Sequence, residues 1–154
     1  MHVREATDRD EAELVSELLV PSYRESESIA PEFNALNETA LDDVDASYWL
    51  DDDDRILFVG VEAGALVGHV SGTVVTEPPI YERDRRIHVD GLYVKPDHRR
   101  GGVASALLQR IEQWGSDRGC EYVGVAVHVD NDRARELYDQ RYTPTYRSYR
   151  ATIE

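Results

Sequence analysis

Residues 91–109, GLYVKPDHRRGGVASALLQ, are the part of the sequence whose residue types and spacing best suit chemistry. An apolar run ends at Pro96, and the pairs Arg99–Arg100 and Gly101–Gly102 stand directly before a helical pattern. A helix N-terminus carries unpaired backbone N–H groups and the positive end of the helix dipole, so it attracts anions. Glycine lets a bulky anion approach the backbone, and arginine donates paired hydrogen bonds to phosphate oxygens. The stretch therefore predicts a phosphate-binding loop.

The spacing of the glycines excludes two common phosphate loops. Neither the Gly-x4-Gly-Lys-Ser/Thr pattern of nucleoside triphosphate binders nor the Gly-x-Gly-x-x-Gly pattern of dinucleotide binders is present. The alternative is a plain strand-to-helix turn that uses glycine for tightness. The arginine pair favours the phosphate-binding interpretation.

Candidate bases and nucleophiles are few. His88 and Asp90 alternate on a predicted strand just before the loop, so their side chains share one face, where they are either bases or solvated surface groups. Glu77, Tyr81 and Glu82 lie in a proline-containing loop. Cys120, the single cysteine, has no partner for an internal disulfide and is expected to fill space. The five histidines lack metal-ligand spacing, so we expect no metal site.

Composition limits the class of protein. A chain of 154 residues fits one domain, 1–154, with its own core. The 31 acidic and 17 basic residues give a net charge of -14, which argues against nucleic acid as a partner. Such acidity either attracts cationic substrates or keeps the protein solvated in a salty cytoplasm, and its spread along the chain favours salt adaptation. The start MHVREATDRDEAE is not a signal peptide and no apolar run spans a membrane, so we expect a soluble, cytoplasmic protein.

Periodicity predicts alternating strands and helices. The expected order is a short strand, two helices, a β-hairpin turning at Glu62–Gly64, a strand, a helix, a strand, a helix and a last strand. The predicted ranges include a first helix capped by Thr7 and Asp10, a second over 40–50, strands over 87–94 and 121–129, helices over 103–117 and 131–140, and a final strand over 145–153. Residues 21–37 give only a weak secondary-structure signal. This order favours a mixed sheet flanked by helices.

Two blocks of the chain resemble the GCN5-related N-acetyltransferase (GNAT) family. Arg99 to Ala104, RRGGVA, is similar to that family's Arg/Gln-x-x-Gly-x-Gly/Ala acetyl-CoA loop. Residues 131–142, NDRARELYDQRY, resemble its Asn-x-x-Ala-x-x-Leu-Tyr-x-x-x-Gly-Phe segment. The resemblance covers about residues 56–146. One departure is Arg141–Tyr142 in place of Gly-Phe, which leaves the end of that helix without its usual glycine.

The resemblance implies an α/β fold with a mixed, mostly antiparallel sheet, flanking helices and splayed strands that form an acyl-CoA cleft. It implies acetyl-CoA as co-substrate, bound by the backbone of one strand, the loop with the first turn of the next helix, and an asparagine on the opposite side. The residues in those positions are Leu92, Tyr93, Val94, Arg99, Arg100, Gly101, Gly102, Val103, Ala104, Ser105 and Asn131.

The implied activity is direct transfer of an acetyl group to a primary amine, with Tyr138 as the acid that protonates the departing thiolate and Asp90 or His88 as the base. Residues 89–120 are similar to stretches of aminoglycoside 6'-type acetyltransferases, and relatives acting on small amines or protein amines share them. A non-catalytic acyl-CoA-sensing or partner-binding domain and a nucleotide-phosphate binder are the alternatives. The tyrosine-rich end suggests either a homodimer or a strand that closes a monomer's core.

Overall fold

A five-stranded sheet forms the centre of the protein in the computed structural model, which describes residues 1–154. The strands lie in chain order, all neighbours are antiparallel except the last pair, and their bounds are β1 His2–Glu5, β2 Arg55–Glu62, β3 Ala65–Thr76, β4 Arg85–Val94 and β5 Tyr122–Val125. The expected mixed, mostly antiparallel sheet is confirmed.

Seven α-helices accompany the sheet. They are α1 Glu11–Leu14, α2 Val20–Ile29, α3 Pro31–Asn34, α4 Glu38–Asp42, α5 Ser47–Leu50, α6 Val103–Asp117 and α7 Asp132–Arg141. None of the helices has both the length and the apolar composition needed to cross a bilayer.

Each face of the sheet covers its own apolar core. On one face, α6 packs Leu107, Leu108 and Ile111 against Phe58 and Val70. The other face carries residues of the N-terminal helical region, including Leu14 and Leu18, against Leu57 and Val59. Because side chains alternate along a strand, neighbouring residues of β2 serve opposite cores. We call the second face the α2 face.

The N-terminal helical region is longer than the sequence predicts. A π-helical turn, Val15–Leu19, joins α1 to α2, and the helix then continues past Pro21 to Ile29. Proline lacks the N–H that a regular turn would use, and here it lies in the first turn after the wider π turn, where that loss is tolerated. The predicted start is confirmed, because the Thr7 N–H donates to Asp10 Oδ2 at 2.8 Å.

Of two other predictions for this half of the chain, one is wrong in part and the other is confirmed. The expected helix over 40–50 is broken into α4 and α5, with Leu41 buried and Val44 and Trp49 packed on the core. The β-hairpin is confirmed, with a tight turn at Ala63–Gly64 in which both residues have positive φ.

The last strand predictions are partly wrong. Of the strand expected over 121–129, only Tyr122–Val125 forms. Its residues are half-buried or exposed because this strand is the edge of the sheet. The strand expected over 145–153 does not form. We call residues 143–154 the C-terminal segment: it is exposed throughout and its backbone makes no hydrogen bond within the chain. Alternation alone cannot make a strand without a partner edge.

Candidate active site

The loop before α6 presents a run of unpaired backbone donors. No backbone or side-chain acceptor of the protein receives a hydrogen bond from the N–H groups of residues 100–105, and the first helical bond runs from Ala106 N–H to the Gly102 carbonyl. Arg100 and Gly102 both have positive φ, at 65° and 85°. Left-handed residues between extended and helical backbone turn successive N–H groups toward one concave side, which suits an anion.

The two arginines of the loop have different roles. Arg99 folds back, donating from Nε to the Val94 carbonyl at 2.8 Å and from Nη2 to Glu25 Oε2 at 2.7 Å. Two of its five guanidinium donors are therefore engaged within the protein, and its phosphate contact stays a prediction. Arg100 is exposed and makes no ion pair, so its side chain is available.

Glu25 joins three elements at this end of the molecule. One carboxylate oxygen accepts from Arg99 and the other from Arg133 at 2.6 Å. The residue thus connects α2 with the loop and with the first turn of α7. Sequence reasoning missed it, because residues 21–37 gave no clear helical pattern to place it.

Strands β4 and β5 separate beside the loop. They pair only from Arg86 to Val89 of β4, so the edge of β4 from Gly91 to Val94 faces no strand. The predicted splay is confirmed, and Leu92 and Tyr93 lie on this stretch. The Val94 carbonyl is already taken by Arg99. An open strand edge accepts an extended, amide-containing ligand as an added strand.

The first residue of the asparagine block caps α7. The Asn131 side-chain oxygen accepts from the Ala134 N–H at 3.2 Å, and its amide NH2 makes no hydrogen bond within the chain. Asparagine is favoured at a helix N-cap for this reason. The residue therefore has a structural function, and its NH2 remains available as a donor.

Tyr138 lies on the face of α7 that packs against the α6 core, stacked on Tyr142 at 6.0 Å between ring centroids. Burial raises its pKa to about 12, and its hydroxyl makes no hydrogen bond within the chain. The phenol therefore keeps its proton throughout the physiological range. The helix ends without a glycine because its C-cap, Tyr142, is extended and no left-handed residue is needed. Arg141 donates to Glu112 at 2.8 Å.

The candidate bases lie on the α2 face. Across the β3–β4 ladder Ser71 faces Gly91 and Gly72 faces Val89, so Asp90 is the extra residue of a β-bulge. Its Oδ2 accepts from Thr73 Oγ1 at 2.7 Å, and its Oδ1 lies 3.9 Å from His88 Nε2. The prediction that His88 and Asp90 share a face is confirmed.

These two residues belong to a larger group, which we call the polar row: His69, Ser71, Thr73, His88 and Asp90. The first three alternate along β3 with Val70 and Val74, which pack toward α6, so they point to the α2 face. Sequence reasoning missed them. The pattern H-x-S-x-T on a predicted strand was the available signal.

A family model for the acetyltransferase (GNAT) family matches residues 13–142, which is most of the chain. The chain belongs to this family.

Curated relatives match shorter stretches. A thialysine N-epsilon-acetyltransferase of Bos taurus is 34% identical over 56 residues, covering 36% of this chain and 33% of the relative. An aminoglycoside N(6')-acetyltransferase type 1 of Acinetobacter genomosp. 13 is 34% identical over 71 residues, covering 46% and 43%. The matches therefore span less than half the length of these relatives.

Solved structures share the fold over the whole chain. A mutant of the BH1408 protein of Bacillus halodurans superposes with a TM-score of 0.83 at 19% identity, covering 100% of both chains. The structure of AAC(6')-Iy in complex with the bisubstrate analog CoA-S-monomethyl-acetylneamine has a TM-score of 0.71 at 16% identity, covering 99% of this chain and 97% of the other. At these identities the likeness concerns the fold.

Proposed function

We propose that this protein is an N-acetyltransferase that moves the acetyl group of acetyl-CoA directly to a primary amine within a ternary complex. The observation that carries the proposal is the run of unpaired N–H groups over 100–105, placed beside the open edge of β4. The unpaired N–H groups suit the pyrophosphate of the co-substrate, and the open strand edge suits its extended, amide-containing arm. Family membership gives the reaction class.

The residues present fit the co-substrate. The loop backbone with Arg100, and the first helical turn from Val103 to Ser105, would hold the pyrophosphate. The amide NH2 of Asn131 would donate to the pantetheine arm from α7. Arg99 fixes the loop through its bonds to Val94 and Glu25, and its remaining guanidinium donors would contact the phosphates.

The chemistry needs a base, an oxyanion donor and an acid. An alkylammonium with a pKa near ~10 must lose a proton before its nitrogen can attack the thioester carbon. Asp90, with His88 beside it, is the acceptor we propose for that proton. Backbone N–H groups near Leu92 would stabilise the tetrahedral oxyanion, and Tyr138 would give its proton to the departing thiolate.

The acceptor is an amine of a small molecule, such as a polyamine or an aminoglycoside, or an amine of a protein. The curated relatives named above support the small-molecule class. The test measures release of free CoA thiol from acetyl-CoA with polyamines, aminoglycosides, lysine and a peptide with a free N-terminus. Thiol release with one amine supports the proposal, and binding without release from any amine favours a non-catalytic acyl-CoA sensor.

We also propose a homodimer. The outer edge of β5 pairs with no strand, and the C-terminal segment exposes Tyr146, Tyr149 and Ile153 without backbone partners. Unpaired edges and extended segments associate readily. Sedimentation should show a dimer for the full chain and a monomer for a chain ending at Tyr142, whereas equal masses would contradict the proposal.

The working environment we propose is a cytoplasm of high salt. The support is the net charge of -14, carried by carboxylates spread along the chain. At 1 M salt the Debye length falls to about 3 Å, which weakens their mutual repulsion.

A further inference from the structure

Two glycines of the sheet lie directly beneath the start of α6. Gly60 of β2 and Gly68 of β3 are partners in the β2–β3 ladder. Neither has a positive φ, so the backbone conformation at these positions does not require glycine. Glycine weakens the interior of a strand, and it often marks a place where another part of the protein approaches closely. Both glycines are therefore explained by what lies against them.

The neighbour that the two glycines share is Val103, the first residue of α6. A Cβ atom added to either Gly60 or Gly68 would lie 3.3 Å from Val103 Cγ1, which is below the optimal separation of about 3.5–4.0 Å for two carbon atoms. Val103 is itself buried, in the gap that the glycines leave. If either position carried a side chain, α6 would have to begin farther from the sheet.

Gly68 also lies against the part of β4 that faces no strand on its other side. A Cβ atom added to Gly68 would lie 2.9 Å from the Tyr93 carbonyl oxygen, a backbone atom that cannot move without the strand. Tyr93 belongs to the open stretch of β4 from Gly91 to Val94. Gly68 is therefore in contact with both parts of the candidate co-substrate site, the open strand edge and the start of α6.

The separation of these two parts matters because acetyl-CoA would bind to both at once. The Val103 N–H is one of the unpaired donors of residues 100–105, so a shift of Val103 moves a donor of the loop. Hydrogen bonds weaken steeply as their geometry worsens. A ligand held at two points also loses affinity when the points are not already at the spacing it needs.

We propose that Gly60 and Gly68 are positioning residues for the co-substrate. The gap that they leave seats Val103, and this contact sets the distance between the N–H donors of residues 100–105 and the open edge of β4. The identity of the ligand rests on the proposed function. In this scheme neither glycine contacts acetyl-CoA.

The first test needs no ligand. In the free protein, Gly60→Ala should shift the amide NMR signals of residues 100–105, because the new methyl group displaces Val103. The control is Gly115→Ala, which places a methyl group 2.8 Å from Ile87 Cγ2 near the other end of α6 and should leave those signals in place. Unchanged signals in Gly60→Ala, or equal shifts in both variants, would overturn the proposal even if the protein is an active acetyltransferase.

The second test measures the Kd for acetyl-CoA by calorimetry. Loss of one hydrogen bond to a charged group weakens binding about tenfold or more, so we expect Gly68→Ala to raise the Kd about tenfold. Gly60→Ala meets only side chains and should raise it several-fold, which keeps the test decisive if Gly68→Ala does not fold. Gly115→Ala should lower the melting temperature and leave the Kd unchanged.

The outcomes of this titration separate the inference from the proposed function. Binding by the wild type with an unchanged Kd in Gly60→Ala would contradict the positioning role. If the folded wild type does not bind acetyl-CoA, the proposed function is wrong, and so is the assignment of these glycines to a co-substrate.

A rescue variant completes the test. Val103→Ala keeps the backbone N–H and removes the Cγ1 atom against which the Gly60→Ala methyl group presses. Effects of residues in contact are not additive, so adding Val103→Ala to Gly60→Ala should restore part of the lost affinity. Losses that simply add would show that Gly60→Ala acts through damage elsewhere in the sheet, which would contradict the proposal.

Discussion

At the residue scale, the sharpest prediction concerns Tyr138. Burial raises its pKa to about 12, so the phenol remains a hydrogen-bond donor below about pH 11. Tyr138→Phe removes that donor and keeps the ring packing. We expect kcat to fall about 10- to 100-fold with little change in the KM for acetyl-CoA, measured by thiol release.

Tyr142 supplies the matched control for this prediction. It stacks on Tyr138, but its hydroxyl donates to Glu112 at 2.8 Å. Tyr142→Phe should lower the melting temperature and leave kcat nearly unchanged. If Tyr138→Phe keeps full activity, the proton donor lies elsewhere; if both variants lose activity equally, Tyr138 acts through packing.

At the scale of elements, Glu25 connects three parts of the cofactor site. Its carboxylate receives Arg99 of the loop and Arg133 of α7, and the Arg99 side chain is only 18% exposed. Glu25→Ala leaves this arginine without its carboxylate partner, which costs more than losing an exposed ion pair. We expect the KM for acetyl-CoA to rise several-fold with a smaller change in kcat.

The control for Glu25 lies close by. Glu38 binds Arg24 at 2.6 Å, but both side chains are largely exposed, at 64% and 46%. An exposed ion pair contributes little, so Glu38→Ala should leave both kinetic constants and the melting temperature almost unchanged. Equal effects from the two variants would show that Glu25 has no special connection to the cofactor site.

At the scale of the whole molecule, the net charge predicts how salt changes the stability of the fold. With 31 acidic and 17 basic residues, self-repulsion opposes the compact state, and added salt screens it. We expect the melting temperature to rise steadily between 0.1 and about 2 M KCl, measured by calorimetry. A melting temperature that falls or stays constant would contradict salt adaptation.

Some features of the fold and of the candidate site can be predicted from the sequence, and others cannot. The hairpin, α6 and the shared face of His88 and Asp90 follow from local patterns, since turn residues and periodicity determine them, whereas the splay was expected only from the family resemblance. The unpaired C-terminal segment does not, because strand formation depends on a partner edge. The hydrogen bond from Arg99 to Glu25 joins residues 74 positions apart, and no local pattern in the sequence predicts it.

Calorimetric titration of acetyl-CoA at high salt tests the central claim, that the loop over 100–105 holds the co-substrate's pyrophosphate. The variants are Gly102→Glu, which puts a carboxylate and a strained left-handed side chain in the loop, and Gly101→Ala, whose Cβ meets nothing closer than 3.8 Å. Binding by the wild type and Gly101→Ala, abolished in Gly102→Glu, is the predicted result. No binding to the folded wild type, or unchanged binding to Gly102→Glu, would contradict it.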